Sequence, residues 1–141
     1  MFARNFTTNH NGKLLNTFFS TLRPHKADIN VAMSTHLITI GGEKRTEIGK
    51  AIIRSVRTIE WKHISETIAW IDYGNTLEKL HAFLIAIYKE KAVTQKYDLI
   101  VYQWTEINPQ VYQNLMQKHY NKHIEPNVIL PDLSLPKTKV A

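Results

Sequence analysis

Apolar runs rich in β-branched residues predict five strands, four of them in the first half of the chain. The segments 2–6, 29–33 and 36–40 have the composition of short strands. Residues 46–59 contain AIIRSV, which is β-branched and long enough for a buried strand. The segment 97–104, YDLIVYQW, has the apolar run of a central strand.

Apolar residues at helical spacing predict four helices. Residues 12–20, GKLLNTFFS, predict a short helix that Pro24 ends, followed by a Thr-Leu-Arg-Pro turn. Three isoleucines predict a second helix from about His63, with Ile64, Ile68 and Ile71 on its buried face. Thr76 is a good N-cap for TLEKLHAFLIAIY. Asn108, followed by proline, predicts the start of a last helix.

Strands grouped at the front and helices behind predict an α+β fold rather than an alternating doubly wound one. A chain of 141 residues fits one domain, which we place at residues 1–125 with the C-terminal helix included. Residues 126–141 contain three prolines and no period, and predict an extended tail. Apolar residues in this tail favour docking in cis or in trans, and with the last helix they suggest a homodimer.

Composition narrows the classes of function. The chain has no cysteine, which excludes disulfides, thiolate metal sites and cysteine nucleophiles. No apolar run approaches the roughly 20 residues of a membrane helix, and the first residues lack the apolar region of a signal peptide. We therefore expect a cytoplasmic protein without membrane contact. The formal net charge of +6 favours polyanionic partners.

Motifs for metal, phosphate or nucleophilic chemistry are incomplete. Two histidines stand four apart near residue 120, but no third ligand has a defined spacing, so we expect no metal and no cofactor. The segment 41–45, GGEKR, lacks the phosphate-loop pattern and predicts a hairpin turn. Thr21 is a candidate nucleophile and Asp72 a candidate acid or base, provided that the fold brings an activating group close.

Basic and aromatic residues fit nucleic-acid binding best. Cations that can contact phosphates are Arg23, Lys26, Lys44, Arg45 and Arg54. Among the aromatic residues, Tyr73 is the one we expect to offer a stacking face, because it adjoins a predicted break at Gly74.

These segments together resemble the ASCH domain, a branch of the PUA-like superfamily, over roughly residues 3–107. The matching features, in order along the chain, are Thr21-Leu22-Arg23-Pro24, the strand GKAIIRSV at 49–56, Asp72-Tyr73-Gly74 leading into TLEKLHAFLIAIY, and the strand DLIVYQW. The resemblance implies a small β-barrel flanked by helices, with a cleft at the Thr-x-Arg segment that binds RNA or modified nucleobases.

The resemblance also implies an enzymatic alternative. Acetylcytidine amidohydrolases of this type use a lysine, a threonine and a glutamate. Thr21 occupies the threonine position, but the lysine position holds Phe18, and Asp72 replaces the glutamate only with a shift of one residue. Lys13 or Lys26 would have to supply the amine from elsewhere.

Three hypotheses remain open at this stage. The first, which we favour, is a non-catalytic RNA- or nucleotide-binding module with a basic cleft around Thr21-Leu22-Arg23. The second is a hydrolase of a modified nucleoside or RNA that uses Thr21 and Asp72. The third is a protein-interaction domain that docks through the last helix and the tail.

Overall fold

The computed structural model describes residues 1–123, which form a mixed α+β fold. The strands are β1 (Ala3–Phe6), β2 (Phe18–Pro24), β3 (Thr35–Ile40), β4 (Thr46–Ile59) and β5 (Tyr97–Ile107). The α-helices are α1 (Glu66–Ile68), α2 (Leu77–Tyr88) and α3 (Pro109–His123). A π-helical turn, Ala69–Tyr73, continues α1, and 3₁₀ segments are His10–Leu15, Trp61–His63 and Lys89–Val93.

The five strands form one curled, half-barrel sheet in the order β1-β3-β4-β5-β2. Strand β1 pairs in parallel with β3, and the other neighbours are antiparallel. Bulges interrupt β4 beside Lys50 and again between Ile53 and Ser55, where they bend the long strand. Strands β1 and β2 are therefore the two edges, and the opening between them is where the cavity described below lies.

Two apolar cores lie on opposite faces of β2. Phe19 lies on one face, where it packs with Ile53, Tyr102 and Trp104. Leu22 faces the helical layer and packs with residues of α2, Leu80 and Leu84 among them. The alternation of the strand thus connects the two halves of the molecule.

The helix predicted over residues 12–20 is wrong in its second half. The first part is the 3₁₀ segment, but Phe18–Pro24 is a strand that pairs antiparallel with β5, from Phe18 opposite Gln103 to Pro24 opposite Tyr97. The predicted Thr-Leu-Arg-Pro turn is thus also strand. The leucines and phenylalanines happen to fit a 3.6-residue period, while the pairing energy of a long neighbouring strand decides the outcome.

Other predicted elements have mixed outcomes. Strand 46–59 has the predicted bounds, whereas residues 29–33 form turns, with Met33 at a φ of 70°. Thr76 caps α2, because its hydroxyl accepts a hydrogen bond from the backbone of Lys79 at 3.3 Å. Asn108 caps α3 through the backbone N–H of Gln110 at 3.1 Å.

Within residues 1–123, no helix has the length and hydrophobicity needed to cross a membrane. The predicted tail, 126–141, and the end of the predicted domain at residue 125 lie outside the described residues.

Candidate functional site

A cavity of about 240 Å³ lies between the two edge strands, β1 and β2, and the helix α2. One part of the lining, the polar wall, consists of the side chains of Lys13, Thr21, Arg23 and Asp72 and of Asn5, whose backbone carbonyl bonds Arg23. A second part of the lining, the apolar wall, is apolar and aromatic, with Tyr73, Leu80, Phe83, Leu84, Ile87 and Tyr88. The cavity therefore suits a ligand that is flat and apolar on its faces and polar at its edge.

Lys13 reaches the cavity from the 3₁₀ segment that precedes β2. Asn11 and Gly12 have φ angles of 57° and 65°, which turn the chain so that the next side chain points inward. Lys13 is 6% exposed, and its Nζ donates to Asp72 Oδ1 at 2.9 Å. A methyl group on Gly12 would lie 2.7 Å from the His119 ring, so α3 holds this segment from behind.

Asp72 enters the cavity from the π-helical turn. The backbone N–H of Gly74 donates to the carbonyl of Ala69 at 2.9 Å, a bond that spans five residues and adds one residue to the turn. Asp72 is consequently 7% exposed, while Ile71 is 61% exposed. The sequence prediction that Ile71 lies on the buried face is therefore wrong, because the wider turn rotates Asp72 inward in its place.

The turn carrying Asp72 and the segment carrying Lys13 are fastened to each other. Asn11 Nδ2 donates to the carbonyl of Trp70 at 3.1 Å, and Gly74, at a φ of 75°, lies so close to Asn11 that a Cβ would meet it at 2.8 Å. Ser20 Oγ also donates to Asp72 Oδ1, at 2.8 Å. Oδ1 of the carboxylate is thus held by two donors, Lys13 and Ser20, that are distant from it in sequence.

The surroundings of Lys13 lower the pKa of its ammonium group. Burial lowers the pKa of Lys13 below 10.5, the ion pair and hydrogen bond with Asp72 oppose that shift, and the positive charge of Arg23 adds to it. The ammonium group thus loses its proton more readily than a surface lysine. A buried lysine with a lowered pKa beside a carboxylate is a pattern found at functional sites.

Arg23 forms the other positive part of the polar wall. Its Nε donates to Thr21 Oγ1 and its Nη2 to the carbonyl of Asn5, both at 2.8 Å. The second bond links β2 to β1 across the opening of the sheet. The guanidinium also lies over the Phe6 ring, 4.9 Å from the centroid.

A second arginine lies behind the cavity. Arg4 Nε donates to the Tyr102 hydroxyl at 2.9 Å, and its Nη2 donates to Asn30 Oδ1. Burial lowers the pKa of Arg23, and the charge of Arg4 lowers it further. Burial raises the pKa of Tyr102, and the proximity of Arg4 and Arg23 opposes that shift. The two guanidinium groups therefore act electrostatically on each other.

The apolar wall contains a cluster of rings. Tyr73 and Phe83 have centroids 4.9 Å apart at 34°, and His10 lies 4.9 Å from Tyr73 and 5.6 Å from Phe83. Tyr73 and Phe83 are partly buried, so part of each ring faces the opening. Such rings provide a surface for stacking.

The structure brings together some of the predicted site residues. The cavity described above is lined by four of them, Thr21, Arg23, Asp72 and Tyr73. Four others are exposed and are not among the residues that line it: Lys26, Lys44, Arg45 and Arg54. Arg54 Nε instead donates to Gln103 Oε1 at 2.6 Å, between β4 and β5.

Sequence reasoning left the role of Lys13 unassigned and missed Asn5, His10 and Phe83. The Asn-Gly pair before Lys13 was a usable signal, since such pairs favour left-handed turns. No comparable local signal marks Asn5, whose contribution is its backbone carbonyl. Among the described residues, no three His, Cys, Asp or Glu side chains come together in a group that could hold a metal ion.

Comparison of the chain with protein-family models, with curated proteins and with solved structures finds no match in any of the three. The resemblance to the ASCH family therefore stays a prediction, and the functional argument depends on the geometry of the cavity.

Proposed function

We propose that the protein binds a nucleobase in this cavity, presented either by a free nucleotide or by an unstacked nucleotide of RNA. The observation that carries the proposal is that aromatic side chains and charged or polar side chains line the same cavity. Nucleobases have flat apolar faces and polar edges. Proteins that bind single-stranded RNA commonly stack such bases on aromatic side chains and hydrogen-bond their edges.

The volume of the cavity limits the ligand. About 240 Å³ is below the roughly 300–1,000 Å³ of pockets for drug-sized molecules. One ring system is therefore a suitable occupant, and an RNA strand would insert a single base. The exposed cations Lys44, Arg45 and Arg54 would then contact only the flanking phosphates of a longer RNA, if the strand extends to them.

The proposed fold family agrees with this position. A PUA-like barrel with helices at its side would place its ligand cleft at the Thr-x-Arg segment, here Thr21 to Arg23. In this chain the same segment forms an edge strand, and its two polar side chains line the cavity.

Calorimetric titration tests the binding proposal. The ligands are the four ribonucleosides, their 5′-monophosphates and short single-stranded RNAs. We expect at least one to bind, and we expect Tyr73→Ala to weaken it by about tenfold, since stacking contributes roughly 1–3 kcal/mol per base.

The matched control for this experiment is Trp70→Ala. Trp70 belongs to the same π-helical turn but is half exposed and does not line the cavity. Its affinity should equal that of wild type. Absence of binding for every ligand at millimolar concentration would reject the proposal.

A second candidate function, hydrolysis of an acylated nucleobase, is favoured by one observation. Lys13 and Asp72 form a buried ion pair in the cavity that Thr21 also lines, although the lysine comes from a position different from the one that the family resemblance implies. The cavity therefore contains an amine, a hydroxyl and a carboxylate, with Asp72 in place of the glutamate that the resemblance implies.

The corresponding reaction has two stages. The Thr21 hydroxyl attacks the acyl carbonyl, its proton passes to a neutral Lys13, and the exocyclic amine leaves with that proton. Water then hydrolyses the acyl-threonine ester and releases a carboxylic acid. In the described residues Lys13 Nζ bonds Asp72, while Thr21 Oγ1 accepts from Arg23, so the proton transfer needs a rotation of the lysine or a bridging water.

Chromatography of N4-acetylcytidine reactions tests this candidate. If it holds, wild type releases cytidine, and Thr21→Ala and Lys13→Met each reduce the rate by at least about a hundredfold. Lys79→Met, an exposed lysine on α2, is the matched control and should keep the wild-type rate. Binding without turnover in wild type would reject hydrolysis of this substrate and leave the binding proposal standing.

A further inference from the structure

The charges around the cavity do not balance. Lys13 and Asp72 neutralise each other as an ion pair. Arg23, in contrast, bonds only neutral oxygen atoms, those of Thr21 and Asn5, in the described part of the chain. Arg4 likewise bonds only Tyr102 and Asn30 there. Neither arginine forms an ion pair among residues 1–123.

Carboxylates near the arginines have other partners. Asp98 stands opposite Arg23 in the register of β2 and β5, but its oxygens accept from His25, Asn30, Thr58 and the backbone of Lys26. Asp72 is engaged by Lys13 and Ser20. Asp72 acts on Arg23 electrostatically without forming an ion pair with it, and the two guanidinium charges repel each other. Such an arrangement costs free energy in a partly buried place.

Arg23 also has hydrogen-bond donors to offer. A guanidinium carries five N–H groups. The bonds to Thr21 and Asn5 use Nε and Nη2, which leaves the Nη1 donors without a protein partner in the described residues. Since Arg23 lines the cavity, a ligand there can approach this group. Planar guanidinium groups bind phosphate and carboxylate groups especially well.

We propose that the ligand carries an anionic group, a phosphate or a carboxylate attached to the ring, which binds against Arg23 while the ring lies on the aromatic wall formed by Tyr73 and Phe83. This inference rests on the proposed nucleobase site and specifies the class of its ligand. A nucleoside 5′-monophosphate or a pyrimidine carboxylate is preferred over the neutral nucleoside or base. Arg4 increases the positive potential from behind.

Titrations of wild type with matched ligand pairs test this inference without any substitution. The pairs are each ribonucleoside with its 5′-monophosphate, and uracil with orotate, its carboxylate. Ribose 5-phosphate serves as a phosphate without a base. We expect the anionic member of at least one pair to bind about tenfold to a hundredfold more tightly, as charge-assisted hydrogen bonds allow. Preference for the monophosphates alone identifies phosphate as the group, and preference for orotate alone identifies carboxylate.

Variants then locate the anionic contact. Arg23→Gln should reduce the ratio within the preferred pair to below about threefold, and Arg23→Lys should restore part of it. Arg57→Gln removes the same charge from an exposed position on β4 and should leave the ratio unchanged. Circular dichroism checks that each variant is folded.

The outcomes separate this inference from the proposed function. Equal affinity for both members of every pair overturns the anionic group but keeps the nucleobase site. Binding of ribose 5-phosphate as tightly as the nucleotides supports the anion contact and overturns the nucleobase site. No binding of any probe overturns both. A preference for the anion that survives in Arg23→Gln overturns the assignment to Arg23.

Discussion

Two polar clusters lie beside β2, and they are built in opposite ways. Around Asp98, which is 1% exposed, four donors surround one carboxylate: His25, Asn30, Thr58 and the backbone N–H of Lys26. Around the cavity, one carboxylate, Asp72, pairs with Lys13 and acts on Arg23, which a second arginine, Arg4, also influences.

This difference indicates that the Asp98 cluster stabilises the fold and that the cavity cluster binds a ligand. The Asp98 cluster satisfies its own hydrogen bonds, so it holds the end of β2 and the following turn against β5 without a ligand. The cavity cluster keeps positive charge and donors that the protein itself does not satisfy. Changes in the first should affect folding, whereas changes in the second should affect binding.

The largest expected effect is that of Asp98→Asn. The amide keeps one acceptor oxygen but loses the negative charge and points a donor at other donors. We expect a loss of about 3 kcal/mol in the free energy of unfolding, measured by urea denaturation.

Asp28→Asn, at an exposed position, is the control for that measurement and should change stability by less than about 0.5 kcal/mol. The folded fraction of Asp98→Asn should bind the ligand as wild type does. Wild-type stability in Asp98→Asn, or a selective loss of binding, would contradict the division between the two clusters.

Gly12→Ala should have the next largest effect. Alanine at position 12 would have to adopt the left-handed backbone conformation that Gly12 has. Its methyl group would also lie 2.7 Å from the His119 ring. We expect a loss of about 1–2 kcal/mol in thermal or urea unfolding, accompanied by weaker binding because Lys13 follows directly. Gly42→Ala has open space around its new methyl group and should change neither property. Equal behaviour of the two variants would show that the segment before Lys13 is not constrained.

The pH dependence of the free energy of unfolding should show that ionised Asp98 stabilises the fold. Burial alone would raise the pKa of Asp98, but the hydrogen bonds from Asn30, Thr58, His25 and Lys26 outweigh it and hold the pKa below 3.8. The unfolded chain therefore binds the proton more readily. The contribution of Asp98 is complete above about pH 4 and is lost as the pH falls through the lowered folded pKa.

Urea denaturation of wild type and Asp98→Asn between pH 2 and pH 6 measures this effect. The stability difference between the two proteins should shrink below pH 4, because the wild type alone loses the contribution. A difference that is constant across the range would mean that the carboxylate is not the stabilising form.

Phe18→Lys should have the smallest effect. It restores the residue that the family resemblance implies at this position, but Phe18 is 52% exposed and does not line the cavity. We expect stability within about 0.5 kcal/mol of wild type, and no change in affinity or in hydrolysis of N4-acetylcytidine. Increased turnover would show that position 18 reaches the site and that Lys13 does not replace the missing lysine.

Local signals predicted the long elements well. Residues 46–59 have a β-branched apolar run long enough for a buried strand. Helix α2 has an apolar stripe and begins at a clear N-cap residue, Thr76. The sequence 12–24 was harder, because its apolar spacing fits a helix while its pairing partner, β5, lies some eighty residues away. Strand pairing between such distant segments depends on the tertiary fold and cannot be predicted from the local sequence pattern.

The candidate site was predicted in part for the same reason. Thr21, Arg23, Asp72 and Tyr73 were identified from their types and order, and they do share the cavity. The contact of Lys13 with Asp72 joins residues 59 positions apart and depends on two left-handed residues and one extra residue in a helical turn. The spacing of apolar residues along the sequence does not predict left-handed residues or an extra residue in a helical turn.

The five-residue hydrogen bond at Ala69–Gly74 has an evolutionary consequence. An ordinary α-helical turn advances about 100° per residue, so deletion of a single residue from this turn would swing the carboxylate out of the cavity while leaving α2 in place. The length of this turn therefore decides whether the cavity has its carboxylate, although Ala69 at its start also belongs to the core that contains Leu80 and Leu84.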